Sequence, residues 1–325
     1  MGKVGPGVAT GSAERPLVSA TMATWNGEHL LAASIESALA QTYTSMEVIV
    51  VDDGSTDSTP EICRAYGDRI RYIRQPKDDS SGGSAIIRGY QEARGTYIAC
   101  LDHDDLWHPE KIARQVAAMM NQPEAGAVFT RFRIIDELGR NQGVSPLTGQ
   151  SGDMFHRLLE SNVFCYSSGM FRKEALDRVG FHDIYAGIGD WDHWLRIARA
   201  YPVIMLEQVL TDYRVHARAY SAGRSRMIEA SERVIANQRP RLHPNCAECR
   251  EAITRGHRHL ASDWMAHALA SLENGEPRIA VKAIKEAWRL SPGSVAYWLR
   301  NRPLSLAKAW LSMFLARRRR NGTHA

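Results

Sequence analysis

Four short strand-like segments, each followed by residues at helical spacing, decide what the first third of this 325-residue chain can fold into. They are "LVSATMA" (17–23), "MEVIVV" (46–51), "IRYIRQ" (70–75) and "TYIACL" (96–101). A strand covered on both faces reads as a continuous apolar run, and "MEVIVV" is one. Leu30, Leu31, Ile35, Ala38 and Leu39 fall at helical spacing, with Asn26 as the expected N-cap. Ser58 or Asp57 is expected to cap a second helix starting near Pro60, residues 84–94 read as a third, and Pro109 launches a fourth. Such alternation predicts right-handed crossovers and a mostly parallel, Rossmann-like sheet flanked by helices, an α/β fold. Ligands of these sheets collect at the carboxyl ends of the strands. Two acidic clusters fall at that edge, Asp52–Asp53 and the "DHDD" of residues 102–105.

The later pattern is more mixed. "GAVFTRFRIIDELGR" reads as a strand and hairpin, "NVFCYSSGMF" as a strand, "DWDHWLRIARAY" as an amphipathic helix, and "VIMLEQVLTDYRVH" as one or two strands. Strand signals stop near residue 225, and two antiparallel helices turning at Asn274–Gly275 follow. The expected division is a flexible segment 1–15, an α/β domain 16–224, and an α-helical region 225–325 with a basic tail. The acidic clusters stand out because Lys and Arg outnumber Asp and Glu, 41 to 36. Five irregularly spaced cysteines make no disulfide framework and point to a reducing, cytoplasmic setting. The first residues lack an apolar core, so no signal peptide is expected, and no run of 18 apolar residues predicts a transmembrane helix. Basic residues are dispersed without aromatic interleaving, so no nucleic-acid partner is expected.

Five motifs then occur in one order: "TWNGEHLLAASIESALAQTY", "EVIVVDDGSTDST", "GTYIACLDHDDLW", "GDWDHWLRIA" and "TDYRVH". Together they resemble glycosyltransferase family 2 on the GT-A fold, over residues 16–222. The resemblance implies a nucleotide-sugar donor, UDP- or TDP-linked, and a Mn²⁺ or Mg²⁺ ion. The acceptor would be a saccharide or a lipid-linked glycan, as in cell-surface polysaccharide synthesis. Asp53 would accept a hydrogen bond from the base, with Thr24, Trp25 and Asn26 as the pocket's other wall. Asp102 would meet the ribose and Asp104 the metal, which hard carboxylate and phosphate oxygens share. His216 would complete the metal shell. Gly83 stands in the glycine-rich loop position, and Arg88 would serve the donor phosphates. The general base of an inverting transfer maps to Asp190, with Asp192 as its rival; Asp190 also suits an N-cap. Asp105 is expected to support its neighbours or to cap the next helix, and His103 to be structural.

Two readings compete with this one. A nucleotidyltransferase wants a basic, glycine-rich loop after the first strand, which "TWNGEH" does not offer; a non-catalytic binding module would keep Asp53 and Asp104 without a base. Cys246 and Cys249, with His243, His257 and His259 nearby, have zinc-ligand residue types, although the irregular spacing favours ordinary thiols. In residues 302–320, Leu306, Ala309, Trp310, Met313 and Phe314 share one helical face ahead of four arginines. That segment is expected either to pack on the preceding helices or to make a peripheral contact with the inner face of the membrane.

Overall fold

The structure, a computed structural model, describes residues 15–77, 83–145, 151–152, 154–180 and 189–301. Outside these residues lie the expected flexible N-terminal segment except for its last residue, positions 80–82 of the glycine-rich loop, and the amphipathic stretch 302–320.

The first half alternates as expected: β1 (Val18–Thr24), α1 (Leu31–Leu39), β2 (Met46–Asp53), α2 (Thr59–Ala65), β3 (Arg71–Gln75), α3 (Gly83–Glu92), β4 (Tyr97–Cys100), β5 (Leu106–Trp107) and α4 (Lys111–Asn121). Then come β6 (Ala127–Ile135), β7 (Asn141–Val144), α5 (Phe155–Glu160), β8 (Gly169–Arg172), α6 (Lys173–Val179), α7 (Gly189–Ala200) and β9 (Val203–Arg214). Four helices close the described chain: α8 (Arg224–Gln238), α9 (Ala247–Glu273), α10 (Pro277–Leu290) and α11 (Pro292–Asn301).

All the strands join one sheet of order β3-β2-β1-β4-β8-β6-β9-β5, with β7 paired to β6. β1–β2, β2–β3, β1–β4 and β6–β9 are parallel, whereas β8 runs antiparallel to both its neighbours, β4 and β6. Strands β3, β2, β1, β4, β6 and β9 therefore all point the same way, and the sheet is mostly parallel as expected.

The two faces of the sheet bury separate cores, which explains the unbroken apolar runs. In β2, Val48 and Val50 face one cluster with Leu31, Ile35, Ile112 and Val116. Ile49 and Val51 face the other, with Tyr90, Phe129 and Trp194. Successive side chains of a strand point to opposite faces, so both must be apolar when helices cover both. The second cluster runs on without a break into Ile228, Val234, Ile235, Leu260 and Trp264 of α8 and α9. The C-terminal helices thus complete the same core.

Three local expectations differ from the structure. Asn26 does not cap α1, which starts at Leu31 without a side-chain cap. Asn26 instead sits at φ 50°, and its Oδ1 accepts a hydrogen bond from Thr56 N at 2.9 Å, tying the loop after β1 to the loop after β2. An Asx side chain tolerates that left-handed backbone and bonds locally. Nor does Asp105 cap the next helix: β5 intervenes, and α4 has Glu110 at its cap position. In "NVFCYSSGMF" the strand, β8, begins only at Gly169, because Tyr166–Ser168 turns as a 3₁₀ segment.

Candidate active site

The carboxyl ends of β1, β2, β4 and β9 lie at one edge of the sheet, and the chemistry-bearing side chains gather there. β4 leads directly into Asp102, Asp104 and Asp105, whose carboxylate oxygens lie within 4.8 Å of one another. β9 leads into His216, whose Nε2 is 2.9 Å from Asp104 Oδ2. Asp105 is buried and fully committed: Oδ1 accepts from the Arg214 backbone N–H at 2.7 Å and Oδ2 from Ser167 Oγ at 2.5 Å. It supports its neighbours and has no oxygen to spare. Burial, then the charges of Asp104, Asp105 and Asp190, push the Asp102 carboxyl well above the usual carboxylate range. Like charges held this close are relieved either by a proton or by a cation.

The arrangement depends on residues that no motif singled out. Arg214 is buried, and its guanidinium donates to the carbonyls of Asp104 (2.8 Å), Asp136 (3.2 Å) and Glu137 (3.1 Å). Ser167 accepts from the Asp102 N–H at 2.9 Å while donating to Asp105. These contacts aim the acidic loop from behind. "YRVH" was legible for its histidine; nothing local marked Ser167.

The two candidate bases separate clearly. Asp190 is partly buried at the start of α7 and accepts from the Trp191 N–H at 2.7 Å. Burial pushes its carboxyl up to about 6, against opposing hydrogen bonds that include one from the Asn162 side chain. Asp192 is buried and engaged on both oxygens. Arg196 Nε donates to Oδ2 at 2.8 Å, while Gln238 Nε2 (2.6 Å) and Arg241 Nη1 (3.2 Å) donate to Oδ1. An acceptor hydroxyl would find no lone pair free there.

At the end of β2, Asp53 is buried and paired, with Gln75 Nε2 on Oδ1 at 2.8 Å and Lys77 Nζ on Oδ2 at 2.7 Å. The same ammonium lies 4.7 Å from the centre of the half-exposed Trp25 ring. Lys77 therefore spans both walls of the pocket expected to take a base. Thr24 Oγ1 is buried there with no hydrogen-bond partner, and Gly27 packs so tightly that a Cβ would lie 2.6 Å from Thr24 Oγ1 and 3.0 Å from His103. Asp52 is internal, accepting from Ser55 N and from Tyr72 OH.

Residues 19–180 match the family model described as glycosyl transferase family 2. By this segment the chain belongs to that family. An uncharacterized glycosyltransferase of Rickettsia typhi is 32% identical over 211 residues, 62% of this chain and 64% of its own length. One of Methanocaldococcus jannaschii is 29% identical over 64% of this chain and 74% of its own. The chain thus spans just under two thirds of the rickettsial relative. S. aureus TarS (residues 1–349), crystallised in complex with UDP, superposes with a TM-score of 0.62 at 18% identity, over 91% of this chain and 88% of that one. The mannosyltransferase PcManGT from Pyrobaculum calidifontis, in complex with GDP-Man and Mn²⁺, gives 0.60 at 20% identity, over 93% and 88%. These likenesses establish the GT-A fold.

Within the family 2 domain, two expected donor residues sit on α3. Gly83 is buried at its first position, and Arg88 is half-exposed, with Nη2 2.7 Å from Glu92 Oε1. Glu92 also pairs with Arg71 of β3, so Arg88 shares that carboxylate.

Proposed function

We propose that the chain is an inverting, metal-dependent glycosyltransferase. It moves a sugar from a nucleotide diphosphate, UDP- or TDP-linked, to a hydroxyl of a saccharide or lipid-linked glycan in cell-surface polysaccharide synthesis. The observation that carries this reading is the convergence of Asp102, Asp104 and His216 at the strand ends, with Asp190 close enough for its charge to be felt by Asp102.

In this mechanism Asp104 and His216, with Asp102 beside them, would hold Mn²⁺ or Mg²⁺, since hard oxygens and an imidazole suit either ion. When bound, the ion neutralises charge on the donor diphosphate. Asp190 takes the proton from the acceptor hydroxyl as that oxygen attacks the anomeric carbon opposite the diphosphate. The bond from that carbon to the phosphate oxygen breaks with its electron pair on the diphosphate, and the configuration inverts. A carboxyl lifted towards 6 is a stronger base than an ordinary one and is still ionised at neutral pH. Asp192 fixes the helix from which Asp190 projects. Asp53 reads the base, exchanging Lys77 for the base N–H, and uncovering Trp25 gives that base a face to stack on. Arg88 serves the phosphates.

A panel of UDP-, TDP- and GDP-sugars with Mn²⁺ tests the reading, with nucleotide release and the anomeric configuration of the product as readouts. One donor should release nucleotide and yield inverted product, and Asp53→Ala should weaken competition by the matching free nucleoside. Nucleotide binding without release from any donor would make the chain a binding module. No described helix is long and apolar enough to cross a membrane. Peripheral contact through residues 302–320 is the proposed route to a lipid-linked acceptor. Co-sedimentation with anionic vesicles at low salt, absent for a chain ending at 301, checks it.

A further inference from the structure

Apart from the acidic cluster at residues 102–105, four soft-ligand side chains from three segments meet at one point. His156 is on α5, His243 in the link between α8 and α9, Cys246 at the N-cap of α9 and Cys249 in its first turn; their ligating atoms lie within 4.8 Å of one another. Cys246 Sγ and Cys249 Sγ are 3.5 and 3.3 Å from His156 Nε2, and Cys249 Sγ is 3.8 Å from His243 Nδ1. With Zn–S and Zn–N bonds of about 2.3 and 2.0 Å, a tetrahedral ion holds its sulfur and nitrogen ligands about 3.5 Å apart. The observed separations scatter around that edge length. One imidazole nitrogen turned to two sulfurs at once is hard to satisfy with a single proton but is natural around a cation.

The surroundings support the same assignment. His156 Nδ1 faces Glu248 Oε2 at 3.6 Å, so a carboxylate lies on the side of the ring turned away from the sulfurs. The Cys249 N–H donates to Cys246 Sγ at 3.3 Å, which favours a thiolate. Two thiolates and one divalent ion leave no net charge in a partly buried site. Four protein ligands with no open position describe a structural centre, and a thiolate–imidazole set selects zinc. Histidines 257 and 259, nearer in sequence to the cysteines, are not part of the cluster; His156, 90 positions from Cys246, takes the place expected of them.

We propose that His156, His243, Cys246 and Cys249 bind one structural Zn²⁺, which clamps the C-terminal helices to α5 of the family 2 domain. The clamp bears on the active site, because the Leu158 carbonyl of α5 accepts from Trp191 Nε1 at 2.9 Å, next to Asp190. Arg255 Nε donates to Glu160 Oε1 at 2.6 Å, and a Cβ on Gly256 would lie 2.8 Å from the Leu159 carbonyl, so α9 already lies directly on α5.

Elemental analysis of the full-length protein after a chelator wash that strips carboxylate-bound Mn²⁺ should find about one zinc per chain. Cys249→Ser and His156→Ala should lose it, whereas His257→Gln and His259→Gln should keep it. Where a variant does not fold, cobalt substitution of the wild type decides: a thiolate-to-cobalt charge-transfer band with tetrahedral visible bands is expected. Three results would each overturn the proposal: a wild type refolded with zinc that retains none, zinc retained by the Cys246→Ser/Cys249→Ser double variant, or a Cys246–Cys249 disulfide in the purified protein.

Discussion

At Asp190, burial has one cause and two opposed effects. The carboxyl rises from 3.8 to about 6, so between those values the folded chain holds a proton that the unfolded chain has released. Stability therefore falls as pH rises through that window, and the cost is fully present at neutral pH. The same shift strengthens the base. Asp190→Asn should lower transfer by roughly 10²–10⁴ at neutral pH with donor affinity near normal, the usual scale for a positioned base. It should also raise neutral-pH stability by about 1–2 kcal/mol, allowing for the partial exposure of the group. In the wild type, kcat should climb as pH passes about 6 and then level off. A flat profile across that range, or an Asn variant that is both active and no more stable, would remove Asp190 from the role. Asp104→Ala removes the carboxylate that reaches His216 and the proposed metal. Calorimetry with UDP should then show no gain in affinity on adding Mn²⁺, whereas the wild type gains; an unchanged metal requirement would take Asp104 out of the site.

At the scale of elements, α7 shows why neighbouring acids take different work. Asp190 lies partly buried in the first turn of the helix, and Asp192 turns inward to Arg196, Gln238 and Arg241. Asp192→Asn should cost about 3–5 kcal/mol, because it leaves a buried guanidinium without its counter-charge. Chemical denaturation measures that loss. If instead transfer collapses with no loss of stability, Asp192 is the base. The strands and helices of the first half were legible because parallel strands buried on both faces must be apolar throughout, and β2 shows it at every position from Val48 to Val51. The D-x-D pair, Asp190 and His216 were legible as motif positions on strand and helix ends. Their supports were not, because Asp105 meets Arg214 across 109 residues and Ser167 across 62, and pairing at that distance leaves no local pattern. The two-residue β5 was invisible for a related reason: "LW" is strand only because β9 lies beside it.

For the whole molecule, the question is whether the helices after residue 224 form an appendage or part of one folding unit. Ile228, Val234, Ile235, Leu260 and Trp264 share a single apolar cluster with Phe155 and Leu158 of α5 and Trp191 and Trp194 of α7. Each fully buried side chain of this kind contributes about 1.5–3 kcal/mol, so uncovering several approaches the 5–15 kcal/mol by which a typical domain is stable. Gln238 and Arg241 also reach back to Asp192, and α9 rests on α5 at Gly256. The full chain should therefore unfold in one calorimetric transition. A chain ending at 224 should lose cooperativity and bind a dye that reports exposed apolar surface. Gly256→Val should act in the same direction without any truncation, because its side chain would force α9 off the Leu159 carbonyl, and a midpoint several degrees lower is expected. Should the 1–224 chain unfold cooperatively at the temperature of the full protein, the helices would be an independent module, and the geometry around Asp190 would owe nothing to them.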